Sequence, residues 1–165
     1  MALTIETGSG VAGANSYVSV VDAQAWVTAR GIAVTVTEAL LLKAMDYLES
    51  LRAEYQGTKT SSTQALQWPR ADVYIDGTLF DANAIPTELI SAQCQLACDA
   101  YTLTLLPSGD GREVVKESIV MGLVSKEYSP GSGGAAKPHL RAADAFLAPL
   151  LKSAVGGGYL TTERV

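Results

Sequence analysis

The sequence is poor in the side chains that carry chemistry: of 165 residues, one is histidine, two are cysteine, two are tryptophan and two are phenylalanine. Nucleophilic catalysis needs an activated Ser, Cys or Thr beside a base. The single histidine, His139, follows Pro138 at the start of a helical pattern, where a surface or capping position is its plain reading. No Gly-x-Ser-x-Gly elbow accompanies it. Cys94 and Cys98 lie four apart in a helical pattern and stack on one face, a geometry ill suited to a disulfide. A metal site would need further ligands, and only Asp99 is near. The two cysteines therefore read as small buried apolar groups. The Gly-rich "TGSGVAG" lacks the Lys-Ser/Thr of a phosphate loop and does not sit between a strand and a helix. No catalysis, metal or cofactor is expected.

Basic clusters and long apolar runs are missing as well. The twelve Lys and Arg are scattered, with nowhere three inside six residues, and the net charge is −5. Proteins that grip phosphates gather cations on one surface, because affinity comes from counterion release, so this balance argues against nucleic-acid binding. The apolar runs fall far short of the roughly 20 residues a membrane helix needs, and no basic segment leads into an apolar one at the start. A soluble chain made in a reducing cytoplasm, with no membrane partner, is expected.

What is present is a 48% hydrophobic content, enough for one core, and glycines concentrated in the first thirteen residues, 131–134 and 156–158. The fold class expected is mainly α: a bundle of about four helices with a β-hairpin and extended N- and C-terminal arms. Residues 1–165 form a single domain, with an arm over 1–16 and a helical core over 17–128 that includes a hairpin at about 113–128. A loop and last helix occupy 129–151, and a Gly-hinged tail 152–165. Ser19 caps a first helix whose apolar face carries Val20 or Val21, Ala25, Trp26 and Ala29, and Gly31 stops it. Thr37 caps a second, "EALLLKAMDYLESLRAEY", with Leu41, Ala44, Met45, Leu48, Leu51 and Tyr55 at 3.6-residue spacing. Pro86 opens a third, with Ile90, Cys94, Ala97, Cys98, Tyr101 and Leu105 on one face and Leu89, Leu96 and Leu103 elsewhere around it. Apolar on several sides, it should be the central helix. A final helix, "HLRAADAFLAPLLKS", should kink or end near Ala148 because of Pro149.

Between the second and third helices lies "STQALQWPRADVYIDG". Pro69 biases Trp68 towards extended backbone, so its indole can plug the helices while Arg70 braces carbonyls or a carboxylate. Trp68, Pro69 and Arg70 thus read as a structural pin. The rival is a base-stacking platform of Trp68 and Tyr74.

With those residues laid out, the chain resembles a family of tailed-phage head–tail connectors, also called adaptors or head-completion proteins. Some members are labelled DnaT-like single-stranded-DNA-binding domains. The likeness lies in "GVAGANSYVSVVDAQAWVTARG", "KAMDYLES", "QALQWPR", "IPTELISAQCQLACDAY" and "VVKESIVMGLVSKEYSPG", in that order over most of residues 8–130. It implies a subunit made in the bacterial cytoplasm and placed at the head–tail junction of the virion as a homo-oligomeric ring, commonly of twelve copies. Such a ring joins the portal protein to a neck, tail-completion or tail-terminator protein, and genomic double-stranded DNA passes through without sequence-specific binding. Residues expected at subunit or partner contacts are Tyr17, Tyr74, Leu89, Leu96, Leu103, Phe146 and Tyr159. The alternative is a single-stranded-DNA-binding accessory protein of phage replication.

Overall fold

The computed structural model of the chain describes residues 2–107, 114–120, 123–128 and 140–152. Among them are four α-helices and three two-stranded antiparallel ribbons, a helix-dominated architecture with no closed sheet.

Helix α1 spans Val20–Ala29. The Ser19 hydroxyl accepts the Asp22 N–H at 3.1 Å and donates to the Asp22 carboxylate at 2.6 Å, so the first turn is capped from both sides. Gly31, at φ +66°, takes the left-handed conformation that turns the chain away. The buried residues are Ala23 and Val27, with Trp26 half-buried, whereas Ala25 and Ala29 are exposed. The expected apolar face is therefore corrected. A short helix with small apolar residues all round has its inward side chosen by packing against α3.

Helix α2, Glu38–Ser50, starts at the Thr37 cap and buries Leu40, Leu41, Ala44, Met45, Tyr47 and Leu48. It is shorter than its sequence pattern, which runs on to Tyr55. The Ser50 hydroxyl donates to the Tyr47 carbonyl at 2.6 Å, and the chain then turns off the helix axis. Tyr55 makes an antiparallel bridge with Leu151. Gln56 N–H donates to the Leu150 carbonyl at 3.0 Å, and Lys152 N–H to the Glu54 carbonyl at 2.7 Å. Pairing with the far end of the chain replaces the helical bonds that the local sequence would otherwise make.

Helix α3, Thr87–Asp99, begins after Pro86 and is central: α1, α2 and α4 all pack on it. Leu89, Ala92, Cys94, Leu96, Ala97 and Cys98 are buried, and so is Gln93. That amide is fully used, its oxygen accepting the Tyr17 N–H at 3.0 Å and its nitrogen donating to the Ser16 hydroxyl at 2.8 Å. Helix α4, Arg141–Leu147, gives way to a 3-10 turn at Ala148–Leu150 containing Pro149.

Residues 2–16 do not extend as an arm. Glu6 N–H donates to the Ser16 carbonyl at 2.9 Å and Asn15 N–H to the Thr4 carbonyl at 2.9 Å, folding the segment back on itself. Inside that fold the buried Glu6 carboxylate accepts N–H groups from Gly8 at 2.8 Å, Gly10 at 3.0 Å and Val11 at 2.6 Å. Of the glycines in this segment, Gly8 serves close approach. At Gly8, with φ +106°, a β-carbon would lie 2.0 Å from the Asn83 carbonyl oxygen. The expected C-terminal tail lies outside the described residues from 153 onward, as does His139.

The ribbons are β1 (Thr58–Lys59) with β2 (Arg70–Ala71), β3 (Tyr74–Ile75) with β4 (Thr78–Leu79), and β5 (Val114–Val120) with β6 (Leu123–Tyr128). The last is the hairpin expected over 113–128.

Candidate interaction surface

The segment from Gln56 to Phe80 has an inner half bound into the core and an outer half turned to solvent. Trp68 is completely buried, edge-on to Tyr55 at 6.0 Å and to Phe80 at 6.4 Å between ring centroids. Its backbone N–H donates to the Tyr17 hydroxyl at 3.2 Å, and the Trp68–Pro69 peptide is cis. Among the described residues the Trp68 indole N–H has no hydrogen-bond partner, and this side chain is held by its apolar surface.

Arg70 turns back beneath the ribbon. Its Nε donates to the Gln56 carbonyl at 2.6 Å and a terminal nitrogen to the Gly57 carbonyl at 2.7 Å, while the guanidinium lies 5.8 Å from the Tyr55 ring centroid. Burial pulls the Arg70 pKa down and the neighbouring Tyr55 opposes it. Gly57 admits this close packing, since a β-carbon there would sit 2.0 Å from the Ala71 carbonyl oxygen. Gln64 closes the loop from inside, donating to the Leu66 and Pro69 carbonyls at 3.0 Å and accepting from Ser61 N–H at 2.9 Å. Tyr17 and Tyr55 are both pushed upward in pKa, first by burial and then by Glu49, so both hydroxyls stay protonated. Burial also pushes the Cys94 thiol up to about 12.

Beyond the buried Val73 the chain turns outward. Asp76 and Gly77, at φ +50° and +77°, make the tight two-residue turn joining β3 to β4, with Tyr74 opposite Leu79. Both are exposed, Tyr74 by 55% and Leu79 by 59%, which makes the pair an apolar knob on a pinned base. A second apolar surface follows α3. Tyr101, Leu103 and Leu106 are exposed, and a cavity of about 190 Å³ lies among Lys43, Asp46 and Leu103–Leu106. A third is half covered: Trp26 meets Phe146 edge-on at 6.2 Å, and the Arg30 guanidinium lies 3.7 Å from the Trp26 ring centroid.

Of the residues expected at contacts, Tyr74 and Leu103 are exposed and Phe146 is half-buried against Trp26. Tyr17, Leu89 and Leu96 are interior, which corrects their assignment: the extra apolar sides of α3 are covered by α1, α2 and α4 within one chain. Tyr159 lies outside the described residues. Sequence reasoning missed Leu79, Leu106 and the exposure of Tyr101. For Leu79 a signal existed, because Asp76-Gly77 between apolar residues marks a hairpin and sets Tyr74 across from it.

Charge does not gather around these surfaces. Over residues 2–107 and 140–152, twelve Asp and Glu stand against seven Lys and Arg, one of which is the buried Arg70. Among the described residues no three His, Cys, Asp or Glu converge as a metal site, and no helix is long and apolar enough to cross a membrane.

One family model matches residues 1–165, the whole chain, and its description is "Putative DnaT-like ssDNA binding protein". The chain belongs to this family. No curated protein and no solved structure matches it. Tyr74 and Tyr101 are exposed aromatic rings and Trp26, beneath the Arg30 guanidinium, is half-exposed.

Proposed function

We propose that this DnaT-like family member is a structural interaction protein, a ring-forming subunit that joins the head of a tailed phage to its neck or tail. The observation that carries the reading is the surface: the apolar pairs Tyr74–Leu79 and Leu103–Leu106 are exposed on a chain of net charge −5. Apolar side chains exposed on a rigid base suit protein contacts. An acidic surface suits a channel wall past which phosphates slide, since a basic lumen would hold them. The sequence resemblance to head–tail connectors supplies the neighbours: further copies of this chain, a portal protein on one side and a neck or tail-completion protein on the other. No chemistry is assigned to the chain.

Mass measurement with electron microscopy of the purified protein tests this. Closed rings, lost in the Leu103→Ser and Leu106→Ser double variant or in the Tyr74→Ser and Leu79→Ser double variant, support it. A single-chain species at every concentration contradicts it.

The family match favours a second reading, in which the chain is a single-stranded-DNA-binding accessory protein. A labelled oligonucleotide separates the two. The accessory reading requires binding at low salt that falls steeply as salt is added; the adaptor reading requires none.

A further inference from the structure

Two exposed apolar features of this chain differ in shape. Tyr74 and Leu79 stand opposite each other on the β3–β4 ribbon, with the buried Val73 just behind them fixing its base. Leu103, Thr104, Leu105 and Leu106, on the turn beyond α3, line a cleft of about 190 Å³ together with Lys43 and Asp46 of α2. An apolar cavity of about 150 Å³ already holds a benzene ring, so this cleft has room for one aromatic side chain. Tyr74 and Leu103 both remain exposed in the single chain, so the knob does not fill the cleft of its own chain.

The polar groups at the two features complement each other. The sequence has no Lys or Arg from Ala71 to Gly111, and the charged residues flanking Tyr74 are Asp72 and Asp76, both exposed. The cleft carries one cation, Lys43, and one carboxylate, Asp46, also exposed. A buried tyrosine ring needs an acceptor for its hydroxyl, and a carboxylate supplies one. The cation is then available to an acidic residue beside that tyrosine.

We infer that the Tyr74–Leu79 knob of one copy fills the Leu103–Leu106 cleft of the next, with the Tyr74 hydroxyl donating to Asp46 and Asp76 facing Lys43. The inference rests on the assembly reading above and names its contact. Knob and cleft are different surfaces, so the contact is heterologous and repeats from copy to copy until a ring closes.

Two double variants test it. Tyr74→Ser with Leu79→Ser destroys the knob and keeps the cleft; Leu103→Ser with Leu106→Ser destroys the cleft and keeps the knob. All four side chains are exposed, so both variants fold, which circular dichroism checks. Alone, each should sediment as a single chain. Mixed in equal amounts, they should form a dimer with one chain of each kind and nothing larger, because that dimer has left only a destroyed knob and a destroyed cleft. Either variant associating alone, a mixture that stays as single chains, or mixed species of more than two chains overturns the knob-in-cleft contact; the assembly reading stands where the parent still forms oligomers. A parent that is a single chain at every concentration overturns both.

The charge pairing is read separately, on chains whose apolar residues are intact. Lys43→Gln and Asp76→Asn should each weaken association about threefold per contact. Asparagine tolerates the φ of +50° at position 76. The chain carrying both changes should be no weaker than either single variant, because the two remove one interaction. Losses that multiply, or no loss in either single variant, contradict the pairing of Lys43 with Asp76.

Discussion

The Gln56–Phe80 segment and the β5–β6 hairpin both contain antiparallel ribbons, yet their described backbone groups bond to different partners. In the first, Trp68, Arg70 and Gln64 face inward, and the short ribbons lean on Tyr55, Tyr17 and the chain near Leu150. Its exposed large apolar side chains are Tyr74 and Leu79. In the second, the described strands bond to one another and to no third strand. The contrast shows how much of the first segment is completed within one chain. On the proposed function, stability should be concentrated in the inner half of the first segment and association in its exposed knob.

The largest expected effect breaks the inner half of the comparison. Trp68→Ala removes a completely buried indole and should cost about 3–5 kcal/mol in a denaturant titration. A loss under about 1 kcal/mol would place that side chain outside the core. Next, Glu6→Gln removes the buried charge that receives three N–H groups, and should cost about 2 kcal/mol by the same titration.

A pH series sharpens the comparison from the solvent side. Tyr17, Tyr55 and Cys94 are all raised by burial, from ordinary values of 10.0, 10.0 and 9.0 respectively. In the unfolded chain these groups release protons over that range, while the fold keeps them bound. The stabilising contribution is thus fully present at neutral pH and falls as pH rises above about 9, until the folded groups titrate in turn. Denaturation midpoints at increasing alkaline pH should drop, and the drop should be smaller for Tyr55→Phe. A midpoint unchanged beyond pH 10 would show that these groups are open to solvent.

The smallest effect on stability belongs to the outer half. Tyr74→Ser with Leu79→Ser should change unfolding free energy by less than about 0.5 kcal/mol, while reducing the oligomer. A variant that unfolds easily, or one that associates as the parent does, removes the knob from the account.

The legible part of the fold was local. Ser19, Thr37, Pro86 and Pro149 announce helix ends through capping and missing N–H groups, and the alternating residues after Glu113 announce β5 and β6. What escaped depends on residues distant in sequence. The end of α2 is set by pairing of 54–56 with 150–152, which no local pattern near Ser50 reveals. The folded N-terminal segment depends on Glu6 meeting amides two to five residues on and on Gly8 lying under Asn83. For the interaction surface, the central position of α3 was readable from its apolar breadth. Which of its sides are covered, and that it ends at Asp99, was not: Leu89 and Leu96 are interior, while Tyr101 lies on the turn beyond the helix and is exposed.

The most direct test is sedimentation velocity of the full chain with a labelled single-stranded oligonucleotide at low salt, recording protein and label separately. A protein that works through its own copies sediments as a closed oligomer and leaves the label at the rate of free oligonucleotide. Label moving with a single protein chain, and released by added salt, would contradict the account.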